Sequence, residues 1–138
     1  MIYNDIGKYD DAKKIFHVAN QALQLKRPGA DYSLDRKFAL KHIELGDLYF
    51  KYHRYDEALE DYAKAISLDP ALLEVRIKIA KSFAKKGFTT RSIQELTQLR
   101  KEHPEYVQAR IQLGLMYFSL GNIIDAQLEW ENALKNIS

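Results

Sequence analysis

Residues of matching character recur 34 apart along this chain, and that interval restricts the possible fold more than any other feature. Tyr49, Phe83 and Tyr117 form one column, Leu45, Ile79 and Leu113 a second, and Gly46, Ala80 and Gly114 a third. Later in each unit Ala58, Ser92 and Ala126 are small, and Tyr62, Leu96 and Trp130 are large. Ala65, Leu99 and Ala133 follow, with Leu99 breaking the small-residue rule; Pro70 and Pro104, then Gly87 and Gly121, keep the same interval. One helical hairpin per unit explains such columns. Two antiparallel helices cross closely only where side chains are small, and large ones fill the space around the crossing. A hairpin alone leaves an apolar face wet, so stability passes from each unit to its neighbour.

These columns resemble the tetratricopeptide repeat family. Residues 39–72 carry the resemblance best, through Leu45-Gly46, Tyr49, Tyr55, Ala58, Tyr62, Ala65 and Asp69-Pro70, with His53 where the family usually has Gly. Residues 107–138 supply Leu113-Gly114, Tyr117, Gly121, Ala126, Trp130 and Ala133; residues 73–106 supply Ala80, Phe83, Gly87, Ser92 and Pro104. A partial unit opens the chain over 1–26, where Tyr3, Gly7, Tyr9, Ala12, Phe16 and Ala19 mirror Tyr49, His53, Tyr55, Ala58, Tyr62 and Ala65 at a spacing of 46, twelve beyond the period. The excess is an insertion between Ala19 and Ala39, with a loop at about 27–34 marked by Lys26-Arg27-Pro28-Gly29. The resemblance implies an all-α fold, a single domain over 1–138 built as a right-handed superhelical array of antiparallel hairpins, three full repeats plus the partial one. The pattern predicts helices near 1–6, 10–26, 34–52, 56–68, 72–86, 90–102, 106–120 and 123–137.

Function classes are narrowed mainly by what the chain lacks. Without cysteine there is no disulfide, thiolate nucleophile or zinc-thiolate site, and a cytoplasmic setting is expected. No apolar run reaches membrane-spanning length, so no membrane span is expected. A net charge of +2 gives no strong field for nucleic acid, and the 34-residue period differs from that of the RNA-reading helical repeats, so no nucleic-acid partner is assigned. No glycine-rich phosphate loop is present, and no cofactor is expected. Of the four histidines only His42 and His53 share a predicted helix, and eleven residues at about 1.5 Å each set them roughly 16 Å apart. No metal site follows from that spacing. Asp56-Glu57 and Glu60-Asp61 read as the acidic opening turns of a helix on its solvent face, so no catalytic residue is assigned and the chain is not read as an enzyme.

In folds of this resemblance the first helix of each hairpin lines the concave surface. Beside the packing column each first helix must then show a second stripe, which helical spacing fills with Leu40, Ile43, Asp47, Phe50 and Lys51, then Ile77, Lys78, Lys81 and Lys85, then Ile111, Leu115 and Phe118. Residues 73–106 hold eight Lys and Arg against four Glu, whereas residues 39–72 hold four against seven. An apolar floor with a basic middle suits an acidic, partly apolar peptide or helix of a protein partner. One subfamily grips a terminal carboxylate using asparagine on these helices; Asp47, Lys81 and Leu115 stand in those places here, against a receptor for chaperone tails. The expected role is therefore a protein-interaction module or scaffold in a larger assembly. Ile124 and Leu128, where the second unit has Asp56 and Glu60, add the expectation of homo-oligomers through the terminal repeats.

Overall fold

The computed structural model describes residues 10–19 and 32–137. Every regular element among them is an α-helix: α1 over 10–19, α2 Tyr32–Lys51, α3 Tyr55–Leu68, α4 Leu73–Lys85, α5 Thr89–Glu102, α6 Val107–Ser119 and α7 Ile123–Ile137. The helix expected at 1–6 and the stretch 20–26 lie outside the described residues. So does most of the loop expected at about 27–34, although α2 begins at Tyr32 and makes its last residues helical.

The repeat period is written into the helix ends. First helices stop at Lys51, Lys85 and Ser119, and each exit uses the same pair of backbone bonds. Arg54 N donates to Tyr49 O, Phe88 N to Phe83 O and Asn122 N to Tyr117 O at 2.8–2.9 Å, each spanning five residues. The inner bonds, from His53, Gly87 and Gly121 to Phe50, Ala84 and Phe118, are all 3.0 Å. This is the Schellman arrangement, which needs a left-handed residue just past the helix. Gly87 and Gly121 adopt it at φ 88° and 84°, and His53 takes the same conformation at φ 63° with a side chain that disfavours it.

Within each hairpin the small column admits the large one. A Cβ at Gly46 would stand 2.5 Å from Tyr62 Cε1, and a Cβ at Gly114 would fall on the indole edge of Trp130. Only glycine permits these approaches. Both crossings are then fixed by a polar tip: Tyr62 Oη donates to Asp47 Oδ1 at 2.6 Å, and Trp130 Nε1 donates to Ile111 O at 3.2 Å. The middle hairpin uses Ala80 with Leu96, both buried.

The chain divides into two compact units, Met1–Leu72 and Leu73–Ser138, and the division falls where one 34-residue unit ends and the next begins. In the first, α2 pairs with α3 around Leu45, Tyr49, Ala58, Tyr62 and Ala65, while α1 docks Phe16 edge-on against Phe38 and His42, both at 4.6 Å between centroids. In the second, α4, α5, α6 and α7 pack in order around Ile77, Ala80, Leu96, Leu99, Ala109 and Leu113. Leu99 is the large residue at a place where other units have alanine, and it is fully buried in that core.

Candidate functional site

Each unit presents part of the predicted first-helix face. In the first unit Leu40, Asp47 and Lys51 on α2 are exposed, and Ile43 and Phe50 are half-buried. Phe50 is held edge-on by Tyr55 at 5.2 Å. Asp47 serves two ends at once, because its carboxylate is outward-facing yet accepts the Tyr62 phenol. Burial of that phenol, followed by its bond to Asp47, pushes the Tyr62 pKa far above its ordinary range.

In the second unit α4 and α6 are successive first helices and touch each other. Lys81 and Lys85 are exposed on α4, with Lys78 half-buried beside them. Ile111, Leu115 and Phe118 are exposed on α6, the last two at 49% and 54%. Phe118 leans on Trp130, with centroids 6.0 Å apart, so an exposed ring is backed by the residue that locks the hairpin. Ile77 departs from the sequence expectation. It is 8% exposed and belongs to the core cluster with Leu96, Leu99 and Leu113, so it is no part of an accessible floor. One α-helical turn separates it from Lys81, and at this place the packing stripe is wide enough to claim both Ile77 and Ala80.

A second arrangement was not legible from spacing along one helix. His17 of α1 meets His42 of α2 with ring centroids 5.1 Å apart, and His42 Nδ1 lies 3.1 Å from Asp61 Oδ1 of α3. Asp61, expected on the solvent face, is instead fully buried, as is His42. Its neighbours Asp56 and Glu60 are exposed as expected. Burial first, and then the Lys64 ammonium, hold the His17 imidazole below its usual pKa; the Lys64 hydrogen bond holds Glu60 below the usual carboxylate range. The signal available in sequence was the column itself, since Asp61 stands three residues after Ala58 and four before Ala65, on the packing face of its helix.

Models of the tetratricopeptide repeat match residues 39–72 and 77–137, well over half of the chain. The chain belongs to the tetratricopeptide repeat family. No curated protein matches it in sequence. Among solved structures it resembles the second tetratricopeptide domain of Spaghetti (RPAP3) bound to the HSP90 peptide SRMEEVD, at 22% identity and a TM-score of 0.62, the match covering 75% of this chain and 94% of that one. The Sgt2 domain from Aspergillus fumigatus is similar at 20% identity and a TM-score of 0.62, covering 71% and 65%. A MamA double mutant matches at 15% identity and a TM-score of 0.61, covering 96% and 68%. Likeness at these identities shows the fold. The tetratricopeptide repeat is generally a protein-interaction fold without catalysis. No described helix of this repeat protein is long and apolar enough to cross a membrane.

Proposed function

We propose that this tetratricopeptide repeat protein binds an acidic, partly apolar peptide segment of a protein partner on its first-helix faces. The observation that carries the reading is the second unit, where Lys81 and Lys85 on α4 accompany exposed Leu115 and Phe118 on α6. An apolar patch rimmed by one sign of charge marks a recognition surface, and lysines on flexible stems attract carboxylates without dictating their geometry. Relatives of this fold bind SRMEEVD, which is itself acidic and carries Met and Val. Leu40, Ile43, Phe50 and Lys51 on α2 offer a second, smaller patch of similar chemistry in the first unit.

Because Asp47, Lys81 and Leu115 occupy the places where a terminal-carboxylate clamp has asparagine, affinity rests on acidic and apolar side chains and not on the peptide's end. Fluorescence anisotropy with labelled SRMEEVD and its C-terminally amidated form tests this directly. The amidated peptide should bind as well as the free acid, and Lys81→Glu with Lys85→Glu should weaken both about tenfold and flatten the salt dependence. Peptide affinity unchanged by both reversals would remove the first-helix face of the second unit from consideration.

A second reading, self-association through the last hairpin, is favoured by α7, where Ile124 is 82% exposed and Leu128, Leu134 and Ile137 are all above half. Sedimentation across a wide concentration range should show the parent associating and Ile124→Glu, Leu128→Glu remaining monomeric. A parent that is monomeric throughout would leave peptide binding alone.

A further inference from the structure

The buried cluster of the first unit has the composition and the unmet valences of a metal site. His17, His42 and Asp61 each place one ligand-type atom within 4.8 Å of the other two. His42 and Asp61 are 0% exposed, and two of their atoms, His42 Nε2 and Asp61 Oδ2, are buried without a hydrogen-bond partner. Leaving a buried polar atom unmatched costs about 1–3 kcal/mol, and Asp61 Oδ2 has only the Lys13 ammonium, at 3.5 Å, to set against that cost. His42 Nδ1 and Asp61 Oδ1 share a proton at 3.1 Å, and a dication ligated by both atoms takes that proton's place.

We propose that His17, His42 and Asp61 form a binding site for a dication of the zinc class, joining α1 to the α2–α3 hairpin. Two imidazoles and one carboxylate are a borderline donor set of the kind zinc accepts, with solvent completing the shell. Tetrahedral coordination needs donors about 3.3 Å apart; His42 Nδ1 and Asp61 Oδ1 stand at 3.1 Å, and the His17 ligand atom, within 4.8 Å of both, closes by a side-chain adjustment.

Two ammonium groups already stand at the cluster, and they show that it attracts cations. Lys13 Nζ is 3.5 Å from Asp61 Oδ2, and Lys64 Nζ donates to His17 Nε2. Both have an alternative partner in Glu60, at 3.7 Å from Lys13 and 3.0 Å from Lys64, so each can withdraw from the cluster and remain paired. A surface depression of about 310 Å³ lined by Asp10, Lys13, Lys14, His17 and Glu60 gives an ion access from solvent.

Isothermal titration of the chelator-stripped 138-residue chain with Zn²⁺ tests the site. One equivalent should bind per chain, and His17→Gln, at a partly exposed position that leaves the fold intact, should weaken it about tenfold or more. Lys64→Met should bind as tightly as the parent or tighter, because a competing ammonium has gone. His53→Gln and His103→Gln should bind like the parent, which separates this cluster from surface histidines. No stoichiometric binding, a His17→Gln chain that binds as the parent does, or a Lys64→Met chain that binds more weakly would each overturn the proposal.

Discussion

The α2–α3 and α6–α7 hairpins solve the same packing problem in the same way and then part company on their outer faces. Each brings a glycine on the first helix against an aromatic ring on the second, Gly46 with Tyr62 and Gly114 with Trp130. Each also buries a carboxylate at one and the same repeat place, Asp61 in the first and Glu129 in the second, and sets a cation from the preceding second helix against it: Lys13 of α1 and Arg100 of α5. The environments differ. Asp61 is sealed under α1 with His42, whereas α7 leaves Ile124 and Leu128 open to water. The repeat thus dictates how a hairpin closes, and what lies on its outer face is left to sequence that the repeat does not govern.

The largest effects should come from the shared part. Tyr49 is 0% exposed and fills the first crossing, so Tyr49→Ala should cost about 3–5 kcal/mol, and Leu113→Ala about 2–5 kcal/mol in the second unit. Trp130→Ala should cost less than Tyr49→Ala, because Trp130 is only half-buried. Urea denaturation gives all three; losses below about 0.5 kcal/mol throughout would mean that the packing columns are misassigned.

Next come the paired carboxylates, which sharpen the comparison. Removing one partner from a buried charge pair costs about 3–5 kcal/mol, and Asp61→Ala should approach that range. Glu129→Ala should fall nearer 1 kcal/mol, because the Arg100 side chain retains 28% exposure and solvent screens the pair. Equal losses would show that α1 does not isolate Asp61.

Alkaline pH probes the two ring locks separately. The Tyr62 phenol is raised above its ordinary 10.0 in the folded chain, so below about pH 10 both states hold the proton and its contribution is intact. Above that the unfolded chain releases a proton that the folded chain retains, and stability falls as pH rises. Tyr62→Phe should reduce this alkaline slope, while Trp130, which does not titrate, contributes none. The smallest effect is expected at His53, whose positive φ is strained for a side chain; His53→Gly should stabilise by about 0.5–1 kcal/mol, less whatever its 2.7 Å bond to Tyr55 Oη contributes. A destabilised His53→Gly would show that this bond outweighs the strain.

Most of the fold was legible because hairpin closure depends on local columns. The helix ends at Lys51, Lys85 and Ser119, the Gly–aromatic crossings and the burial of Leu113 all follow from the 34-residue interval. The first-helix faces were partly legible. Helical spacing separates Lys81, Leu115 and Phe118 from the packing column, but it cannot say how wide that column is, and Ile77 falls inside it. The His17–His42–Asp61 cluster was out of reach for another reason. Its members lie on three helices, and their meeting depends on where α1 docks after an insertion that breaks the period.

The central claim is that recognition occurs on the first-helix face and not on the open face of α7. Two-dimensional NMR of the labelled chain, titrated with SRMEEVD, tests it residue by residue. Shifts should concentrate on Lys81, Lys85, Leu115 and Phe118 and leave Ile124 and Leu128 unmoved. Shifts confined to α7, with the α4 lysines silent, would contradict the account.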